Sequence, residues 1–140
     1  MRVVLDASVI VKWYIAKPDE KDAEQALAIL EGIEASTITL IQPQHSLAEV
    51  AAVLARELPE HAGDYFLELG CIYAVNAISL SNTAYQRAIE LSTRLNHHLF
   101  DTLYHAVALE ENATLITADR RYYEKAEAFG GIVMLENFAM

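Results

Sequence analysis

The chain has 140 residues, of which 54% are hydrophobic, and carries a formal net charge of −10. That length fits one domain, residues 1–140, with one sizeable core; the apolar content excludes a disordered chain, and no apolar run is long enough to span a bilayer. The acid excess argues against affinity built on broad phosphate neutralisation, but clustered carboxylates can hold metal ions that face a phosphate, and excess acid can draw a basic partner.

Short β-branched runs alternate with longer helical ones along the chain. "RVVLD" (2–6) predicts a buried strand, and "ASVIVKWYIA" (7–16) either continues it or forms a short helix. "DEKDAEQALAILEGI" (19–33) predicts a helix with Ala26, Leu27, Ile29 and Leu30 apolar. "STITLIQP" (36–43) predicts a strand stopped by Pro43. Helices follow over "HSLAEVAAVLAREL" (45–58) and "EHAGDYFLELGCI" (60–72), with a break at Pro59, and then a strand over "AVNAISL" (74–80). "NTAYQRAIELSTRL" (82–95) and "LFDTLYHAVALEE" (99–111) are helical, and "ATLIT" (113–117) is a strand. "RRYYEKAEAF" (120–129) is a helix, Gly130-Gly131 a turn, and "IVML" (132–135) a final strand.

Strands separated by helices imply right-handed crossovers and a parallel sheet covered on both faces. Apolar strands such as "VVL" and "TLI" fit that burial. In such sheets functional groups gather at the carboxyl ends of strands. Asp6 ends the first strand and Asp119 follows "ATLIT" by one residue, so both belong to one rim and come close together if those strands are neighbours. The start of the chain, with Arg2 and then Asp6, lacks a signal-peptide layout, so a cytoplasmic location is expected. The one cysteine, Cys71, has no internal disulfide partner and is expected in the core between Leu69 and Ile72.

Four acids stand apart from the surface charges. Asp6 interrupts an apolar run, where a carboxylate needs compensation; it also suits an N-cap, with Ser8 two residues on. Glu49 is the one charge in "LAEVAAVLA" (47–55) and lies opposite the stripe of Leu47, Val50, Ala51, Leu54 and Leu58. Ala48, Ala52 and Val53 make that opposite side apolar too, and a capping box from Ser46 to Glu49 is the plainer alternative. Asp101 falls in the first turn of its helix, where the macrodipole favours an anion. Asp119 suits an N-cap for the helix beginning at Arg120. Two ionised carboxylates about 4 Å apart repel by about 4 kcal/mol at an effective dielectric near 20. Four such groups either take up protons or share a hard divalent cation, and oxygen-only ligands suit Mg²⁺ or Mn²⁺. Phosphodiester hydrolysis is the chemistry that uses such a site.

The histidines compete for the same role. His97, Asp101 and His105 have i, i+4 spacing, but His97 is expected before the helix, and no second His/Cys pair or HExxH is present, which argues against zinc. His98 is expected near the helix start and His105 on a helix face.

Taken together, "VVLDASVIVKW", "QPQHSLAEVAAVLAREL" and "FDTLYHAVALEENATLITADRRYYEKA" resemble the PIN-domain ribonucleases, specifically the VapC-like toxins of toxin–antitoxin pairs, over essentially the whole chain. The resemblance implies a three-layer α/β/α sandwich with a five-stranded parallel sheet. It implies metal-ligating and catalytic roles for Asp6, Glu49, Asp101 and Asp119, with Ser8 and Thr117 supporting them. It further implies Mg²⁺- or Mn²⁺-dependent cleavage of RNA, a VapB-like antitoxin partner whose tail covers the groove, and a homodimer or larger assembly. Thr102 replaces the family's usual alanine, and His98 stands where a Ser or Thr cap is common. Lys12, Arg56, Arg120 and Arg121 are the basic residues most able to meet substrate phosphates, with ordinary solvated surface charge the plainer reading of each. Trp13, Tyr14, Ala26 and Leu30 supply either core or a partner-facing groove.

Three other readings fit less well. A haloacid-dehalogenase phosphatase wants a second Asp where Ser8 stands. A receiver domain wants paired acids after strand one and a lysine after the last strand, and "VVLDAS" and "IVMLENF" supply neither. A catalytically silent PIN-like binding module would not need all four acids.

Overall fold

A computed structural model describes residues 1–15 and 22–139. Residues 16–21, which include the end of the 7–16 segment and the start of the expected 19–33 helix, lie outside that description. The strands are β1 (Arg2–Leu5), β2 (Thr39–Leu40), β3 (Gln42–Pro43), β4 (Ala77–Ile78), β5 (Thr114–Thr117) and β6 (Ile132–Met134). The helices are α1 (Ala7–Ile10), α2 (Ala23–Glu34), α3 (His45–Glu57), α4 (Ala62–Asn76), α5 (Asn82–Leu95), α6 (Leu99–Glu110) and α7 (Arg120–Ala126). Short 3₁₀ turns follow α1 at Val11–Trp13, α7 at Glu127–Phe129 and β6 at Leu135–Asn137. Among the described residues no helix is long and apolar enough to cross a membrane.

The expected α/β architecture with parallel strands is present. Its main sheet has the order β2-β1-β5-β6, and every pairing is parallel. The expected five-stranded sheet is instead four strands beside a separate parallel pair, β3-β4. The physical reason lies in residues 36–43. The ladder from β1 reaches Ile41, whose N–H donates to the Val3 carbonyl at 2.8 Å. The backbone then leaves the sheet, and the Gln42 side chain continues the ladder in its place. Gln42 Oε1 accepts from the Leu5 N–H at 2.7 Å, and Gln42 Nε2 donates to the Leu5 carbonyl at 3.0 Å. A fully buried amide side chain thus satisfies a strand edge that would otherwise be orphaned. Pro43, with no N–H to offer, is tolerated in the short pair. The expected strand over 74–80 shrinks to Ala77–Ile78 because α4 runs on through Asn76.

The core gathers Val3, Val4 and Leu5 from β1, Leu115 and Ile116 from β5, and Val9, Ile10, Ile29, Val50 and Leu54 from the helices. Residues Thr102 to Ala108 of α6 are all buried, as befits a helix packed on β1, β3 and β5 as well as on α5. Thr102 has its hydroxyl donated to the Ala88 carbonyl of α5 at 2.8 Å, so its departure from alanine ties two helices together. His105 is fully buried rather than on an open helix face. Its Nε2 meets the Gly130 carbonyl at 2.7 Å, which makes Nε2 the donor and leaves Nδ1 to accept from the Tyr122 hydroxyl at 2.9 Å. Burial lowers its pKa and keeps the ring neutral. That use of both nitrogens removes His105 from any metal site. Gly130 and Gly131 adopt φ of 74° and 67°, a turn that few other residues make cheaply.

Cys71 is exposed, against the expectation of a core thiol. Helix α4 carries apolar residues on more than one face, with Leu67 and Val75 also exposed, so composition does not reveal which face is buried. Leu69 and Tyr73 face the core, and Cys71, two residues from each, falls on the other side. Of the proposed groove residues, Ala26 is core, whereas Trp13, Tyr14 and Leu30 border a surface cavity with Tyr65.

Candidate functional site

Strands β1 and β5 are direct neighbours, paired Val3 with Thr114 and Leu5 with Ile116. Their shared register brings Asp6 and Thr117 to one rim. The Thr117 hydroxyl donates to Asp6 Oδ2 at 2.7 Å and accepts from the Asp119 N–H at 3.0 Å. Asp6 also caps α1, its Oδ1 accepting from the Ser8 N–H at 3.3 Å. The Ser8 hydroxyl points to β5 instead of to Asp6, accepting from the Ala118 N–H at 3.1 Å. Asp119 caps α7 through Oδ1 and the Tyr122 N–H at 3.1 Å. Both N-cap readings and the rim reading therefore hold together in the same carboxylates.

Asp101 arrives from the first turn of α6, which begins after His98. His97 Nε2 lies 2.8 Å from Asp101 Oδ2, and Lys125 Nζ lies 3.2 Å from His97 Nδ1. An ammonium only donates, so Nδ1 accepts, and Nε2 carries the proton toward Asp101. Ligand atoms of His97, Asp101 and Asp119 all fall within 4.8 Å of one another. His97 is the residue the sequence reading set aside. Its i, i+4 spacing to Asp101 was the available signal, and its place before the helix disguised it.

Glu49 comes from α3 and is partly buried. The capping box with Ser46 does not form. Helix α3 starts at His45 after Gln44, which puts Ser46 inside the helix, and the Ser46 hydroxyl bonds Gln42 Nε2 and the Tyr73 hydroxyl. Glu49 Oε1 is 3.4 Å from His45 Nε2, but that nitrogen donates to the Phe100 carbonyl at 2.9 Å. Glu49 Oε1 is buried without a regular hydrogen-bond partner, and so is the Tyr104 hydroxyl.

The four acids share one field. Asp6 is 8% exposed. Burial pushes its pKa up to about 6, the Thr117 hydroxyl and Ser8 amide hold it back, and the charges of Asp101 and Asp119 add to the rise. Burial likewise raises Glu49, with the Tyr104 hydroxyl opposing and Asp101 and Asp6 adding. Asp6 thus feels Asp101 and Asp119, and Glu49 feels Asp101 and Asp6, although the four come from distant stretches of chain. Three of the basic residues singled out by sequence pair with other carboxylates, Arg120 with Glu136, Arg56 with Glu57 and Lys12 with Asp22. A hard divalent cation fits the carboxylate oxygens of this set, and the buried Glu49 Oε1 has no regular hydrogen-bond partner among the described residues.

Residues 3–128 match the family described as PIN domain. No curated protein matches in sequence. Among solved structures, FitAcB from Neisseria gonorrhoeae superposes with a TM-score of 0.69 at 16% identity, covering 97% of this chain and 99% of that one. VapBC2 from Rickettsia felis, bound to a DNA fragment from its promoter, superposes with a TM-score of 0.65 at 20% identity, covering 96% and 97%. VapC20 from Mycobacterium tuberculosis, a toxin that cleaves the sarcin–ricin loop, superposes with a TM-score of 0.63 at 14% identity, covering 87% and 94%. At these identities the likeness is one of fold.

Proposed function

The chain belongs to the PIN-domain family, and from that premise we propose that it is a VapC-like, Mg²⁺- or Mn²⁺-dependent endoribonuclease and the toxin of a toxin–antitoxin pair. The observation that carries the proposal is the convergence of Asp6, Glu49, Asp101 and Asp119 in one field, with a buried Glu49 oxygen left without a partner. A silent binding module has no use for such a costly arrangement. RNA as substrate is supported by the similar fold of a toxin that cleaves the sarcin–ricin loop. An antitoxin partner is supported by similar folds found in toxin–antitoxin complexes. Homodimerisation follows from the same reading.

The residues divide the work. Thr117 and the Ser8 amide fix the direction of Asp6. His97 holds one oxygen of Asp101, and Lys125 holds His97 in the tautomer that does so. Asp119 spends one oxygen on the cap of α7, leaving the other for the site. Asp6, Glu49, Asp101 and Asp119 would hold the cation, which when bound supplies an acidified water and charge stabilisation at phosphorus.

Purified, antitoxin-free protein should cleave RNA in Mg²⁺ or Mn²⁺ and lose that activity with EDTA. The proposal fails if the protein neither cleaves RNA nor binds a divalent cation by calorimetry. Equal cleavage by wild type and Asp6→Asn would identify a contaminating nuclease.

A further inference from the structure

The basic residues of this acidic chain are distributed unevenly in what they touch. Among the described residues, Arg2, Lys12, Arg56, Arg87, Arg94 and Arg120 each lie within 4.0 Å of a carboxylate: Glu111, Asp22, Glu57, Glu110, Glu90 and Glu136 respectively. Arg121 and Lys125 have no carboxylate partner among the described residues. Both line the same cavity of about 450 Å³, together with Asn96, His97 and His98. Lys125 bonds only neutral groups there, the Asn96 carbonyl at 3.0 Å and His97 Nδ1 at 3.2 Å.

Arg121 and Lys125 are also four residues apart on α7, on one helix face. Like charges at that spacing destabilise a helix. Two cations side by side, neither with a direct carboxylate partner among the described residues, in a chain of net charge −10, describe a place for an anion. His97 sets the location: it lines this cavity and reaches Asp101 at 2.8 Å, so cavity and acids share a wall. A polyanion approaching the acids meets repulsion there and compensation next door.

We propose that this cavity is a subsite for a non-scissile phosphodiester of the RNA, adjoining the phosphate that is cut. The proposal rests on the nuclease reading above and assigns Arg121 and Lys125 to it. Arg121 supplies the planar fork that matches phosphate oxygens, and Lys125 supplies a point charge. Of the basic residues singled out by sequence, only Arg121 belongs to the subsite; Arg56, Arg120 and Lys12 spend their charge within the protein.

The test measures binding of a fluorescent single-stranded RNA to Asp6→Asn protein in Mg²⁺ as salt is raised. Each phosphate neutralised on a single strand contributes about −0.7 to the slope of log affinity against log salt. Adding Arg121→Gln should flatten the slope by about 0.7, and Lys125→Gln by a similar amount. Arg121→Lys should keep the slope, and Arg56→Gln should leave it where it was. With Asp6 intact, Arg121→Gln should raise KM for RNA about tenfold, the scale of one charge-assisted hydrogen bond. If wild type cleaves RNA but Arg121→Gln changes neither slope nor KM, the subsite is overturned and the nuclease reading stands. If Arg121→Gln weakens only the complex with an antitoxin, the cavity takes an acidic protein segment and the RNA assignment falls. If wild type neither binds nor cleaves RNA, both readings fall.

Discussion

On the strand side of the site, Asp6 accepts from the Thr117 hydroxyl and the Ser8 amide, and Thr117 and Ser8 in turn accept from the amides of Asp119 and Ala118. On the helix side, Glu49 Oε1 and the Tyr104 hydroxyl are both buried without a regular hydrogen-bond partner among the described residues. The strand side is a closed hydrogen-bond network built on two adjacent parallel strands. Such a network sets position and holds it without a cation. The helix side stays open, and its unmet polar atoms are what a cation would satisfy. The difference separates preorganisation from affinity: one wall aims the site, and the other favours its filling.

The largest expected effect tests whether the two sides act as one. Asp6→Asn on the strand side and Asp101→Asn on the helix side should each lower kcat/KM by at least about 10²-fold, the scale for losing a placed charge-stabilising group. A rate assay with a synthetic RNA checks this. Activity that falls in one variant and is retained in the other would mean that the acids do not work together.

A second test uses pH on metal-free protein. Asp6 rises from 3.8 to about 6 on folding, so between those values the folded state holds a proton that the unfolded chain has released. Stability should therefore fall as pH rises through that window, by about 3 kcal/mol at most from this group. Urea titrations from pH 4 to 7 would show it. Asp6→Asn should remove this contribution, and Mg²⁺ should restore stability to wild type near neutral pH but less to the variant.

A third test addresses the one strut on the helix side. His97→Ala frees Asp101 from its partner and should cost about 10- to 100-fold in metal affinity or activity, as loss of a supporting hydrogen bond to a ligand does. Calorimetric Mn²⁺ binding separates this from a folding defect. The smallest effect belongs to Ser8→Ala, which leaves the half-buried Ala118 amide unmatched. It should lower stability by about 1 kcal/mol in urea while cleavage persists.

The sequence showed the strand-end position of Asp6 and Asp119 directly, because apolar runs ending in an acid have one sensible place in a parallel sheet. The helix at 82–95 was legible to its ends, since Ser81 caps it through the Ala84 amide at 3.0 Å and Asn96 closes it with φ of 48°. The region 36–43 was legible only as one strand. Its division depends on a side chain from Gln42 bonding a residue 37 positions away. Cys71 was misplaced for a related reason: a helix with apolar residues on more than one face does not declare its buried face until its neighbours are known.

Local pattern alone therefore determined the α/β class and most of the order of elements, and singled out four acids as candidates, because periodicity and capping act within a few residues. Tertiary structure decided the rest. It chose which strands adjoin, so that Thr117 meets Asp6. It turned His97 from a loop residue into the support of Asp101. It separated Arg121 and Lys125 from the cations already paired with carboxylates. Coulomb energy and hydrogen bonding depend on distance in space, and only the folded chain sets those distances.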